Sequence, residues 1–229
     1  AVSHVSFEAK PGETTAIIGS TGSGKTALVG LIPRFYDVQE GEVLVDGVNV
    51  KDYDRRTLRR KIGYVPQKAL LFKGTIMENI RFGDDSASDE RVKEAAAIAQ
   101  STDFIEDKPD GFDSSISQGG SNVSGGQRQR LAIARAIVRK PEIYVFDDSF
   151  SALDFKTDSA LRQALSKETG NATVVIVAQR VSTIMNADRI IVMDEGKVMG
   201  IGTHRELLNT CGTYQEIVRS QLSEEEMSA

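Results

Sequence analysis

The chain has 229 residues, 40% of them hydrophobic and 27% charged, an ordinary globular balance that can bury one large core or a core with a subdomain. A net charge of -5 weighs against a nucleic-acid partner, and apolar runs such as 173–178 are too short to cross a bilayer. The single cysteine, Cys211, excludes an internal disulfide and fits a reduced, cytosolic setting.

The residues open at Ala1 without Met or a recognisable secretory leader and read as mid-domain, so a piece of a longer protein is expected. Phe7 alternates with Val5 in a strand-like run and is expected in the core. A β-branched strand over 14–18 leads into Gly19-Ser20-Thr21-Gly22-Ser23-Gly24-Lys25-Thr26, and a helix is expected over 25–35. The loop fits G-x-x-x-x-G-K-[ST] in full, in the strand–loop–helix context that the pattern requires. Its glycines let the backbone curl so that N–H groups face phosphate oxygens, and the helix adds its positive N-terminus. Lys25 is placed to reach the β- and γ-phosphates of a nucleotide, and Thr26 offers a hydroxyl to Mg2+.

Strands are expected over 42–46 and 61–65, with the basic segment 54–61 as a solvated face. Residues about 70–140 carry no convincing strand and read as a helical insertion, with helices over 89–100 and 125–139. Ser124 can cap the second of these, and Gln127 three residues on completes a capping-box pattern. Leu131, Ala134, Ile137 and Val138 form its apolar stripe. Gly125 and Gly126 strip the side chains from its first turn, which opens the N–H groups there to an anion such as a γ-phosphate.

An apolar strand over 143–146 then delivers two carboxylates, Asp147 and Asp148. Beside the phosphate loop, Asp147 is placed to hold Mg2+ and Asp148 to activate a water. A helix follows over 155–168, then strands over 173–177, 189–193 and 197–201, and a helix over 204–209. His204 lies in a second capping-box pattern, which points to a structural role, and no zinc-spaced Cys/His set occurs. The polar tail 223–229 is expected to fray. Strands interleaved with helices predict βαβ units and a largely parallel, covered sheet.

With "GSTGSGKT", "YVPQ", "SGGQ" and "SALD" in this order, the sequence resembles the nucleotide-binding domains of ABC transporters over nearly its whole length. Ser124, Gly125, Gly126 and Gln127 match that family's signature, Gln67 its Q-loop, and Ser151, Ala152, Leu153 and Asp154 its D-loop. "LRRKIGYVPQ", "LFKGTIMENI" and "GTHRELL" are similar to the exporter branch. The resemblance implies an α/β fold with a RecA-like P-loop core over about 1–69 and 141–229, an antiparallel β-subdomain, and a helical subdomain over about 70–140. It implies ATP and Mg2+ as ligands, with Thr26, Gln67 and Asp147 around the metal and Gln179 in the switch beside the γ-phosphate. It also implies two partners. One is a transmembrane domain outside this chain, at the cytoplasmic face of a cell membrane. The other is a second nucleotide-binding domain, packed head to tail so that each ATP lies between one domain's phosphate loop and the other's signature helix. An adenine-stacking aromatic residue is expected N-terminal to the residues present, because residues 1–12 offer no candidate.

Three positions depart from the family pattern. Glutamate usually follows the metal-binding aspartate, where this chain has Asp148, and histidine usually occupies the switch, where it has Gln179. Aspartate withdraws the carboxylate by about 1.5 Å, one C–C bond, and a general base must lie within hydrogen-bond reach of its proton. Gln179 can donate to a γ-phosphate but cannot carry the charge of an imidazolium. Gln118-Gly119 stand where related exporters often carry Glu-Arg, which bears on coupling to the membrane half. An intact loop and signature beside altered hydrolytic partners resemble the degenerate-site half of a heterodimeric exporter with a non-identical partner. Two other readings stay open at this stage. One is a regulatory ATP-binding module with little turnover. The other is a soluble ABC ATPase of DNA repair or chromosome structure, against which the absence of a long coiled-coil insertion counts.

Overall fold

The computed structural model describes residues 2–222, so the predicted fraying of 223–229 concerns residues outside it. The strands are β1 (Thr14–Gly19), β2 (Leu44–Val45), β3 (Val48–Asn49), β4 (Ile62–Val65), β5 (Gly74–Thr75), β6 (Ser115–Ile116), β7 (Ile143–Asp147), β8 (Thr173–Val177), β9 (Arg189–Asp194) and β10 (Lys197–Gly202). The helices are α1 (Lys25–Val29), α2 (Arg55–Arg60), α3 (Ile76–Arg81), α4 (Asp89–Ile98), α5 (Thr102–Glu106), α6 (Gly125–Ile137), α7 (Phe155–Glu168), α8 (Val181–Ile184), α9 (His204–Thr210) and α10 (Gly212–Gln221). Among the described residues, no helix is long and apolar enough to cross a membrane.

The main sheet has the order β10-β9-β1-β8-β7-β4. All its pairings are parallel except β10 with β9. Successive residues of each strand face opposite ways, and the sequence fills both faces. Ile17, Val145, Val175, Ile191 and Met193 pack with Leu28, Val29 and Leu58 on one side. Ala16, Ile18, Tyr144, Phe146, Ile176 and Val192 pack with Leu131, Leu161 and Tyr214 on the other. Phe7 joins the first of these layers, as its alternation predicts.

The parallel register fixes the site. Ile17 pairs with Val177, Asp147 with Val177, and Val65 with Phe146, so β1, β8, β7 and β4 all end at one edge. In open α/β sheets ligands bind beyond the carboxyl ends of the strands. The phosphate loop after β1 and the segments that follow β4, β7 and β8 all leave this edge.

A helical part covers the second layer. Arg135 of α6 fastens it by donating to the carbonyls of Leu70 and Asn79, both at 2.8 Å, and to Asn79 Oδ1 at 3.0 Å. The rings of Phe72 and Phe82 flank its guanidinium, and burial lowers its pKa to about 10. Arg91 of α4 donates to the Ile137 carbonyl at 2.6 Å and to Glu168 of α7 at 2.7 Å, tying the helical part to the rest.

Several sequence expectations need correction. The helix expected over 25–35 ends at Val29, because with Gly30, Pro33 and the left-handed Arg34 (φ +55°) the chain from Leu31 on makes i→i−3 turns, closed by an i→i−5 bond from the Phe35 N–H to the Gly30 carbonyl. The strand expected over 42–46 shrinks to a two-residue ladder with β3. The insertion is not strand-free, since β5 pairs with β6. Helices α2, α3, α5, α8 and α10 were not anticipated. For α3 the signal was present, because Thr75 and Glu78 form a capping box in the structure.

Candidate nucleotide site and signature helix

Gly19 ends β1 opposite Met193 of β9, where a Cβ would overlap the Met193 carbonyl oxygen. Only glycine lets the chain leave the sheet there without spreading it. Gly22 and Gly24 adopt φ of +83° and +94°, conformations that cost glycine nothing. Lys25 then turns back over the loop. Its Nζ donates to the carbonyls of Gly19 (2.9 Å) and Ser20 (2.8 Å) and to the Ser23 hydroxyl (3.3 Å). Burial holds its ammonium pKa below the ordinary value, against the opposing pull of Asp148 and Asp147. The turn between β9 and β10 buttresses the loop from outside. Ser20 Oγ donates to Asp194 Oδ1 at 2.8 Å, and the Gly196 N–H donates to the Ser23 carbonyl at 3.1 Å.

Asp147, 2% exposed, is the last residue of β7. Its Oδ1 accepts from the Thr26 hydroxyl and its Oδ2 from the Tyr64 hydroxyl, each at 3.0 Å. Burial, with the charge of Asp147 adding to it, pushes the Tyr64 phenol above its usual range. Asp148 follows in a left-handed conformation, φ +50°, that re-aims its side chain. Its Oδ2 accepts from Gln67 Nε2 at 3.0 Å and from Gln179 Nε2 at 2.6 Å. Burial raises the Asp148 carboxyl pKa, while these two hydrogen bonds oppose the rise. The Q-loop and the switch therefore converge on one oxygen of one carboxylate.

The loop geometry fits nucleotide phosphates, with the Lys25 ammonium at its centre. The Thr26 hydroxyl, the Asp147 carboxylate and the Gln67 side-chain carbonyl are hard oxygen donors of the kind Mg2+ takes. Among the described residues, no group of three or more His, Cys, Asp or Glu side chains forms a metal cage. A cation here would draw the rest of its shell from phosphates and water.

Ser124 caps α6 as predicted. Its Oγ accepts from the Gln127 N–H at 3.1 Å, and Gln127 Oε1 accepts from the Ser124 N–H at 3.0 Å. Gly125 faces open space, while a Cβ on Gly126 would come within 3.2 Å of the Ala152 carbonyl oxygen. Among the described residues, Ser124–Gln127 make no hydrogen bond to the loop 19–26. The D-loop is held by Ser151 Oγ donating to the Asp148 carbonyl (3.0 Å), by Arg180 donating to the Ser151 carbonyl (3.3 Å), and by Asp154, which caps α7 through the Thr157 N–H (2.9 Å). Leu153 lies buried beneath it. Gln129 of α6 donates to the Pro66 carbonyl at 3.1 Å, which links the signature helix to the Q-loop.

A family profile described as ABC transporter matches residues 2–151. The chain belongs to the ABC transporter family. It is 50% identical over 220 residues to an uncharacterised ABC transporter ATP-binding protein of Mycobacterium tuberculosis, covering 95% of this chain and 38% of that protein. It is 42% identical over 220 residues to an ATP-dependent lipid A-core flippase of Desulfotalea psychrophila, covering 96% of this chain and 38% of that one. Its fold superimposes with a TM-score of 0.93 and 38% identity on a bacterial Atm1-family ABC exporter with ATP bound, over 97% of this chain and 39% of the other. The chain thus spans 38% of the length of these curated ABC transporter relatives.

Four side chains at the site escaped the sequence reading. Tyr64 holds the Asp147 carboxylate, and Asp194 holds the loop through Ser20. Arg180 holds the D-loop. Gln221 of α10 grips the switch on both sides of Arg180, donating to the Gln179 carbonyl and accepting from the Val181 N–H, each at 2.8 Å. Tyr64 sits inside the quoted Q-loop phrase, but only the register of β4 against β7 brings it to Asp147.

Proposed function

We propose that this chain is the ATP-binding and hydrolysing domain of an ABC exporter, and that its own site hydrolyses slowly. The observation that supports this most directly is the meeting of Lys25, Thr26, Asp147, Gln67, Asp148 and Gln179 at the carboxyl edge of the sheet. The curated relatives named as a flippase and as ATP-binding proteins, and the exporter with the same fold, favour transport as the work performed.

In this reading the loop N–H groups and Lys25 bind the β- and γ-phosphates. Thr26, Asp147 and Gln67 hold Mg2+, which when bound neutralises charge on the phosphates. Asp148 is the general base, and Gln179 donates to the γ-phosphate. Asp148 is poorly placed to take a proton here for two reasons. It is one methylene shorter than glutamate, and its Oδ2 is already taken by two amide donors. The same clamp lends some support to a second reading, a regulatory ATP-binding module with little turnover.

The helical unit over about 70–140 presents Ser124–Gln127 to a second nucleotide-binding domain. A homodimer would contain two slow sites. The sound capping box and open Gly125 of this chain have most use opposite a fast site, which favours a non-identical partner carrying Glu and His at the positions of Asp148 and Gln179. The chain would then work at the cytoplasmic face of a membrane, beside a transmembrane domain of the same exporter.

Calorimetric titration tests the first part, because Lys25→Ala should weaken ATP binding. In the co-expressed complex, Ser124→Ala should reduce turnover severely and Asp148→Ala much less. The opposite ranking would overturn the assignment of the two sites.

A further inference from the structure

We infer that Tyr64 is a positioning residue for the Mg2+ carboxylate: its hydroxyl holds one oxygen of Asp147 so that the other stays aimed at Thr26 and the cation. Tyr64 pairs with Val145 in the parallel β4–β7 register, which puts its side chain on the sheet face that Val145 shares with Asp147. The phenol oxygen lies 3.0 Å from Asp147 Oδ2, while Oδ1 accepts from Thr26 at the same distance. Among the described residues these two hydroxyls are the only side-chain donors to the carboxylate.

The two donors are not equivalent. Thr26 is itself a candidate metal ligand, so its bond to Asp147 can be exchanged for one to the cation. Tyr64 makes no such exchange, and its ring is placed by packing. Phe35 meets it edge-on at 5.0 Å and 79°, and the Arg59 guanidinium lies 5.4 Å from the centre of the Phe35 ring. The terminal torsion of an aspartate is broad when nothing fixes it. Mg2+ demands near-ideal octahedral geometry, whereas Ca2+ tolerates irregular shells. A carboxylate freed from Tyr64 should therefore serve Ca2+ better than Mg2+.

Tyr64 can act in this way only if Asp147 holds the cation as proposed above, and the experiment separates the two ideas. Tyr64→Phe keeps the ring and its contact with Phe35 and removes only the hydroxyl. Binding of a non-hydrolysable ATP analogue is titrated without metal, with Mg2+ and with Ca2+, on the purified chain and on the variant. The expected result is unchanged metal-free affinity, a Mg2+ requirement raised about tenfold, as for loss of other partners of metal ligands, and a clearly smaller change with Ca2+. An unchanged Mg2+ requirement overturns the role of Tyr64 while leaving the nucleotide site intact. An equal loss in all three titrations shows a merely structural tyrosine and also overturns it. If the unaltered chain binds the analogue no better with Mg2+ than without, both the site reading and this inference fall.

Discussion

Lengthening Asp148 asks whether the short carboxylate limits turnover. Asp148→Glu advances the carboxylate by about 1.5 Å along the side chain. Room for that advance is scarce, because Oδ2 already lies 2.6 Å from Gln179 Nε2 and 3.0 Å from Gln67 Nε2. With Gln179 in place the longer chain must leave its preferred rotamer, at a cost of roughly 0.5–1.5 kcal/mol. A fully effective base contributes a factor of about 10² to 10⁴. Asp148 remains a carboxylate, so the recoverable share lies at the lower end, near 10². Crowding by Gln179 should cut this about tenfold in the single variant, since about 1.4 kcal/mol is a factor of ten. Asp148→Glu alone should thus raise turnover about tenfold, and Asp148→Glu with Gln179→His about a hundredfold. The assay is steady phosphate release at saturating Mg-ATP, with ATP affinity measured in parallel. A double variant no faster than the parent, with unchanged affinity, would refute the idea that the base is what is missing. Equal gains in the single and double variants would refute the crowding.

Gly19→Ala should cost about 3 kcal/mol of stability through overlap with the Met193 carbonyl. Gly22→Ala, with open space but φ of +83°, should cost only about 1–2 kcal/mol, both read from urea midpoints. The Asp148 pKa is raised in the fold, so the folded state holds the extra proton and stability falls as pH rises through that value. Asp148→Asn should therefore melt higher than the parent at neutral pH, and the gap should close as pH falls to the ordinary aspartate range; a gap independent of pH would contradict this. His204, with Nδ1 2.7 Å from the Tyr214 hydroxyl, has its pKa lowered by burial and by Arg205. Its contribution is present above the usual histidine pKa and lost as pH drops through the folded value, so His204→Gln should flatten the acid limb of a melting-temperature profile below about pH 6.5.

The phosphate loop, the capped signature helix and the paired aspartates were legible because each is a local pattern. A strand, a special φ or a cap can be read within eight residues. The six-stranded sheet was legible as a class from its apolar runs. What stayed hidden depends on register or on distant partners. Tyr64 reaches Asp147 only because Tyr64 is paired with Val145 and not with a neighbour. Gln221 reaches the switch across 40 positions, and no spacing in the sequence announces that. Helix α2 was hidden for a different reason. Its only buried residue is Leu58, so it has a cap at Asp54 but no stripe. The short ladder of β5 with β6 has two residues per strand, too few for any alternation to show.

The position of β1 in the middle of the sheet has a consequence for synthesis. Both of its neighbours, β8 and β9, are made late, with Thr14 paired to Val174. At about 5–20 residues per second, the partner strands emerge roughly ten to thirty seconds after it. During that interval an apolar strand with two unpaired edges waits on the nascent chain, the kind of segment that associates with other chains. The strand that later carries the phosphate loop is thus made well before the two strands that shelter it, which makes it a natural target for a chaperone during translation.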